Sequence, residues 1–507
     1  MPIGRLGEST QRTPRSFRIG ALLAFTAVVL AGCTSGPPKA PRATIVTAGS
    51  QARLIQPPGP VSAHPALLGE ANAACRRARV PDLRLCAGTI DAEVWGLPLV
   101  DTSQLRDTVA CAIKANVLDN ATTLDGPDSV VVPYSNDDTI YSTAFLDLRA
   151  GPQLLSLPPI SGRYANFELF DMYTNTIADA GVLTGAGHGG TYAFVGPGWH
   201  GTIPAGDIRI DVPTPDAWLL GRTQVKGPAD LTAAVDLEAQ YSLTGLSGHG
   251  SGTTGGPSTL VCPAPPQPSS KSLVFLGDLE KDMAADPPAA ADGPVVRAMA
   301  AAGIGPARSP IAASSANAAR YRQALALGAS LLAGPVVGGS TAAWTGYTGG
   351  AAAGSYGTDY VERARVAQAT PGPQVPAQAV YFGASRAQSG TTTVALAGDR
   401  SYEIRFPAGD LPPYGSDGFW SITLYNSAGF LVANPIDRYS VGNGTAGLAR
   451  GAGGSLTIVV SAGRPRASGV NWLPAPTGAF SLVLRVYDPA PQVLDGSWLP
   501  PVIRVAS

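Results

Sequence analysis

Histidine and lysine are scarce in this sequence. Four histidines and five lysines stand among 507 residues. His64, His188, His200 and His249 lie far apart, with no H-x-H or H-E-x-x-H spacing, so a zinc site built from imidazoles is not expected. No G-x-S-x-G occurs, which removes the strained-turn serine of α/β-hydrolases. No G-x-x-x-x-G-K-[ST] occurs either, which removes the phosphate loop. Charged residues make up only 14% of the chain, and no basic stripe is interleaved with aromatics. Nucleic acid is therefore not an expected partner, and no metal or cofactor is expected.

Glycine is abundant, and two stretches satisfy G-x-G-x-x-G, at Gly185–Gly190 and Gly250–Gly255. A dinucleotide fingerprint needs a strand before it and a helix after it, so that phosphate meets helix amides. The first stretch runs into TYAFV, a strand pattern, and the second lies in a Gly/Pro-rich stretch. Both read as turns.

The N-terminus carries Arg5, Arg12, Arg15 and Arg18 ahead of a 13-residue apolar run, Ile19–Ala31. The run is short against the roughly 20 residues of a membrane-spanning helix, and its basic flank is that of a secretory signal. Leu30-Ala31-Gly32-Cys33 resembles the bacterial lipobox, in which the cysteine becomes the lipidated first residue. The expectation is a signal peptide over residues 1–32 and a lipid anchor on Cys33 that holds the protein to the cell membrane or envelope. Loss of residues 1–32, with four Arg and one Glu, takes the formal charge from −1 to −4.

Four further cysteines, Cys75, Cys86, Cys111 and Cys262, have no C-x-x-C spacing. An even count in an exported chain favours two disulfides. Of the three connectivities, closeness in sequence favours Cys75–Cys86 with Cys111–Cys262.

Hydropathy divides the rest. Residues 33–70, rich in Ser, Gly, Pro and Ala, read as a tether. Residues 71–118 show helical spacing through Val94, Leu97, Val109 and Ile113. From Val130 the period becomes two: in TIYSTAFLDL, Ile140, Ala144, Leu146 and Leu148 share one face, and Tyr141, Thr143, Phe145 and Asp147 the other. Further short strands follow, with Gly/Pro turns, to residue 247. Residues 248–272 read as a linker. Residues 276–334 are Ala-rich and helical, broken near Pro287, Gly303–Pro306 and Pro310. Strands return from Ala379, with SYEIRF, FWSITLYN, SLTIVV and FSLVLRVYD the clearest. The fold class expected is mainly β with helical segments: two β-sandwich domains of jelly-roll type, at 71–247 and within 273–507, the second preceded by an α-helical segment.

The carboxylates of Asn136-Asp137-Asp138-Thr139 invite a functional reading. Adjacent residues of a strand point to opposite faces, so the two aspartates are not a shared-proton pair. The tetrapeptide is also good turn chemistry, since Asx side chains bond nearby amides. If Asp138 acts, it needs a second group, and Arg163 or Glu168 on the next strand are the natural partners, with Tyr141 and Tyr173 nearby. An Arg beside Asp138 would hold that carboxylate ionised and oriented.

NDDTIYSTAFLDL, GRYANFELFDMYTNTIADAG, FVGPGWHGTIPAG and WLLGRTQV resemble the domain of unknown function 1254, and WGLPLV its usual opening. GSYGTDYVERARVA, YEIRFPAGDLPP, GFWSITLYN, LVANPIDRYSVG, NWLPAPTGAFSLVLRVYDP and GSWLPPVI resemble the domain of unknown function 1214. The resemblance covers roughly residues 85–504. It implies two β-sandwich-like domains, the second preceded by helices, and brings no settled activity. FGASRAQSGTTTVAL lacks the Asp that this family's pattern carries before a Gly.

The second domain has a cluster of its own: Trp420 and Tyr425 on opposite faces of FWSITLYN, with Arg438, Tyr439, Asn471, Trp472 and Arg485 in or beside turns. Aromatics with Asn and Arg suit stacking on sugar rings; equally, the aromatics fill a sandwich core and Arg438 braces a loop. Three functions fit the whole. The first is an envelope lipoprotein binding a glycan or another small polar ligand. The second is a hydrolase with Asp138 or Glu168 as base and Arg163 in support. The third is a structural envelope protein. The sequence leaves the oligomeric state open.

Overall fold

In the computed structural model, residues 67–506 are described, except 131, 185, 248–251, 257–271, 307, 309–310, 313, 334–343, 347–352, 370 and 468. The segment expected to be signal peptide, the lipidation site Cys33, and His64, His249 and Cys262 lie outside the described residues.

The helices are α1 (Leu67–Arg77), α2 (Leu83–Val109), α3 (Leu231–Glu238), α4 (Leu273–Ala285), α5 (Gly293–Ala301), α6 (Ala318–Leu332), α7 (Tyr360–Ala369) and α8 (Pro491–Leu494). The helical region extends N-terminal to residue 71, through Leu67. Asp82 starts α2 by accepting from the Leu85 amide at 3.1 Å, an N-cap that satisfies one free donor of the first turn. α2 is the axis of the helical layer and is buried along most of its length, because α1, α4, α5, α6 and α7 all pack on it. Gly88 permits a close contact with α5, since a Cβ there would lie 2.4 Å from the Ala298 carbonyl oxygen.

A disulfide joins Cys75 of α1 to Cys86 of α2 across 11 positions, as expected. Cys111 is also disulfide-bonded; its expected partner, Cys262, is not among the described residues. Replacing both Cys75 and Cys86 by Ser should lower unfolding free energy by about 3 kcal/mol, the loop-closure entropy of so short a ring. Urea denaturation measures this, and an unchanged midpoint would show that α1 does not need the bond.

The first β domain contains β1 (Val117–Ala121), β2 (Thr139–Asp147), β3 (Gln153–Leu157), β4 (Ala165–Asp171), β5 (Thr176–Gly181), β6 (Gly190–Val195), β7 (Ile208–Asp211), β8 (Asp216–Gln224), β9 (Ser242–Gly245) and β10 (Gly252–Gly256). They form a six-stranded sheet, ordered β10-β1-β2-β8-β4-β5, and a four-stranded sheet, ordered β7-β6-β3-β9. Ala144, Leu146, Phe167 and Leu219 from the first meet Leu155, Tyr192 and Phe194 from the second in one core. Contrary to the linker reading of residues 248–272, β10 pairs parallel with β1.

The helical segment before the second domain does not pack as part of it. Leu276, Met299, Leu325 and Val361 share a core with α2 and with Phe145, Phe170 and Trp218 from the outer face of the six-stranded sheet. That sheet is therefore covered on both faces, which is why β4 and β8 are buried at every position.

The second β domain contains β11 (Thr345–Gly346), β12 (Ala379–Ala384), β13 (Arg386–Ser389), β14 (Thr392–Ala395), β15 (Tyr402–Phe406), β16 (Tyr414–Asn426), β17 (Ser440–Gly442), β18 (Leu456–Ser461), β19 (Asn471–Pro474), β20 (Phe480–Pro489) and β21 (Ile503–Val505). A five-stranded sheet, β11-β12-β20-β16-β17, faces a six-stranded one, β14-β13-β21-β15-β18-β19. Trp420, Ile422, Leu484 and Val486 fill the space between them with Ile404, Ile458 and Leu473. The architecture is thus mainly β, in two domains. Where they meet, Tyr164 packs against Ala379, Tyr381, Phe419 and Tyr487.

Candidate binding cavity

The two domains turn one sheet face each toward a shared cavity of about 150 Å³. This is large beside the roughly 10–15 Å³ needed to hold one water. Its floor is the outer face of the first domain's long sheet. The register sets the rungs: Asp119 of β1 faces Thr143 of β2, which faces Leu220 of β8, while Tyr141 faces Arg222 and Phe145 faces Trp218. These are the odd-numbered residues of β2, the face that the two-residue period sets apart from Ala144 and Leu146. The second domain contributes Tyr381 of β12 and Arg485 and Tyr487 of β20, and Leu105 and Val109 of α2 line the cavity as well. Two connections complete the wall, around Pro133–Asn136 and at Pro371–Pro373. In the latter, Gly372 has φ +68°, and a Cβ there would lie 2.7 Å from the Trp218 ring. Only glycine fits the turn without strain.

Two arginines from different domains define one end. Arg222 Nη1 donates to Glu168 Oε2 at 3.2 Å and Nη2 to the Gly372 carbonyl at 2.7 Å, and its guanidinium lies 5.7 Å from the Tyr141 ring centre. Arg485 Nη1 donates to Thr423 Oγ1 (3.2 Å) and Tyr425 Oη (2.8 Å), and its Nη2 donates to the Tyr134 carbonyl. Asn136 links the domains: its Nδ2 donates to Tyr487 Oη at 2.8 Å, and its amide to Tyr141 Oη at 3.0 Å.

Residues 115–245 match the family model described as protein of unknown function DUF1254, and residues 378–491 that described as protein of unknown function DUF1214. The chain carries a DUF1254 domain followed by a DUF1214 domain. Among solved structures it is similar to the VPA0106 protein from Vibrio parahaemolyticus, with a TM-score of 0.60 and 21% identity over 83% of this chain and 100% of that one. That likeness supports the fold alone. An uncharacterized protein from Burkholderia cenocepacia aligns with a TM-score of 0.40 and 14% identity over 87% of this chain and 94% of that one. No curated protein matches the sequence.

Of the DUF1254 residues singled out in the sequence, only Tyr141 lines the cavity. Arg163 does not meet Asp138. It makes a two-pronged ion pair with Asp230, at 2.5 and 2.7 Å, and also donates to the Gln224 carbonyl. The reason is sheet order: β3 intervenes in sequence and joins the other sheet, and β8 lies between β2 and β4 in space. Asp138 instead accepts from Ser421 Oγ at 2.5 Å and Ser440 Oγ at 3.2 Å, both in the DUF1214 domain. Asn136 Oδ1 closes the turn by accepting from the Asp138 and Thr139 amides at 2.9 and 2.8 Å. Asp138 thus ties this turn to the DUF1214 domain rather than to Arg163. Glu168 is buried under Val375, whose amide donates to its Oε1 at 3.0 Å. Tyr173 donates to the Asp286 carbonyl at 2.7 Å and packs on Trp95.

Of the two readings of the DUF1214 cluster, the described residues match the one in which the aromatics fill the core and Arg438 braces a loop. Trp420 (1% exposed) belongs to the sandwich core, and Trp472 (7% exposed) donates its indole N–H to the Ser461 carbonyl. Asn471 binds the backbone of Ala449 and Thr457. Arg438 braces the Trp472 carbonyl, and Tyr439 donates to Asp437. Arg485, read as lying in or beside a turn, sits in the middle of β20 and reaches the cavity. Arg222 was missed. A lone arginine inside WLLGRTQV or SLVLRVYD is the available signal, because a charge on a buried strand face requires partners.

Burial raises several carboxyls here. Asp137 is pushed up to about 8, by desolvation and then by Asp138. Glu168 is raised well above the usual range by burial and then by Asp179, and Asp179 is itself raised to about 7 by burial. A carboxyl whose folded pKa is raised keeps a proton that the unfolded chain has released, so its stabilising contribution is full below about pH 4 and declines as pH rises through the folded value. Asp230, lowered first by its hydrogen bond from Arg163, has the opposite sign, but its contribution is already constant above pH 5. The urea midpoint should therefore fall steadily from pH 5 to pH 8. A midpoint that rises over this range would contradict the burial of these groups.

Proposed function

We propose that this protein is an envelope lipoprotein that binds one small molecule in the cavity between its DUF1254 and DUF1214 domains. The observation that carries the reading is the cavity itself, walled by two sheets from different domains and floored by Trp218, Leu220 and Phe145. Mostly apolar walls with a few converging polar groups are the usual character of a small-molecule site. The burial of Trp420 and Trp472 favours a compact ligand over an extended glycan. Binding is favoured over hydrolysis because Asp138 and Glu168 point to different partners and neither has Arg163 beside it.

The test is a thermal-shift screen of small amphipathic compounds against the wild-type protein and Leu220→Trp, which fills the floor. A compound present at 100 times its Kd adds about 2.7 kcal/mol to the wild type, a shift of several degrees. Hits lost in Leu220→Trp support the reading, and hits retained unchanged in that variant would overturn it. Anchoring rests on the Leu-Ala-Gly-Cys33 motif and the basic segment before it. Cys33→Ala should move the protein from the membrane to the soluble fraction, and persistence in the membrane would refute lipidation.

A further inference from the structure

We infer that the ligand of this cavity carries a carboxylate seated between Arg222 and Arg485, with an apolar body lying along β8 toward Trp218 and Phe145. The inference rests on the binding reading above and names the class of ligand. A guanidinium has five N–H donors. Two of those on Arg222 and three of those on Arg485 are used, which leaves three and two without a protein acceptor among the described residues. Tyr141 and Tyr487 add two hydroxyls, each of which accepts from Asn136 and donates to no described residue. Burial raises both phenols above their ordinary values, so both keep their protons. Four donor groups thus converge on one end of a cavity. A carboxylate, which accepts at about four lone-pair sites and pairs with two N–H groups at once, satisfies such a set.

The floor gives the rest of the molecule. Same-face residues of β8 run Arg222, Leu220, Trp218, which at about 3.3 Å per residue spans roughly 13 Å from the cationic end to the aromatic end. Phe145 stacks on Trp218 with ring centres 5.9 Å apart, and Leu105 and Val109 line the cavity with them. Asp119 and Asp125 also line the cavity, and both have interactions of their own. A straight-chain or aryl carboxylate of about eight carbons fits this length and polarity.

The experiment is calorimetric titration of the full mature chain with octanoate and with octanamide, which share a tail and differ in charge. Octanoate should bind at least about tenfold more tightly, and the preference should shrink below about threefold in Arg485→Gln. Arg163→Gln, whose guanidinium is paired with Asp230 outside the cavity, should keep it. Equal affinity for the two probes in the wild type would overturn the carboxylate inference and leave the cavity reading standing. Binding of either probe unaffected by Leu220→Trp would overturn both. Because the wild-type ratio needs no variant, it decides the matter even if Arg485→Gln fails to fold. A preference unchanged in folded Arg485→Gln and Arg222→Gln would overturn the placement of the head group.

Discussion

An Arg222→Met substitution is expected to lower unfolding free energy by about 2–6 kcal/mol, about 1–3 kcal/mol for each of the two buried acceptors it leaves without a donor. Arg222 sits in β8, buried at every position, and ties Glu168 in β4 to the Gly372 carbonyl in the cavity wall. Methionine matches its bulk without its donors. The variant therefore leaves Glu168 beside Asp179 without a cation and leaves the Gly372 carbonyl bare. Urea denaturation at pH 7 measures the loss. Adding Glu168→Gln to the variant should recover part of it, because the stranded carboxyl is then gone. A loss below about 1 kcal/mol, or no recovery in the double variant, would show that the pair does not hold the wall.

The second large effect separates two adjacent aspartates. Asp138→Ala removes the acceptor of Ser421 and Ser440, two of the direct bonds from this turn to the other domain's sheet. Hydrogen bonds to a charged group contribute about 1.5–3 kcal/mol each, so a loss of about 3–6 kcal/mol is expected for the two, with faster proteolysis where the domains meet. Asp137→Asn should differ from wild type by no more than about 0.5 kcal/mol, because one oxygen of Asp137 is buried without a partner among the described residues and the residue is already protonated near neutral pH. Equal losses in the two variants would mean that the turn, and not the Ser421–Asp138–Ser440 contact, holds the seam.

Local pattern made most of the elements legible. The two-residue alternation in TIYSTAFLDL marks β2, and the breaks at Pro287 and Gly303 mark the ends of α4 and α5. What local pattern could not carry was adjacency. The proposed Asp138–Arg163 contact assumed that the strand around Arg163 follows β2 directly and lies beside it, whereas β3 intervenes in the chain and β8 enters between β2 and β4 in the sheet. The helices of residues 273–369 precede the second sandwich in sequence yet cover the first, because the outer face of its sheet presents Phe145, Phe170 and Trp218. The site was illegible for the same reason. Arg222 and Arg485 come from two domains, and each strand shows only a single arginine among apolar residues. Their meaning lies in their convergence, and sequence spacing does not encode it.

The central claim is that the seam between the two domains is a ligand site with a cationic end and an apolar end. A crystal structure of the full chain grown with 8-bromooctanoate tests it most directly, since the bromine is located by its anomalous signal. The account predicts the carboxylate between Arg222 and Arg485 and the bromine beside Trp218 and Phe145. Bromine found only on the outer surface, or in the cavity with the chain reversed, would contradict it.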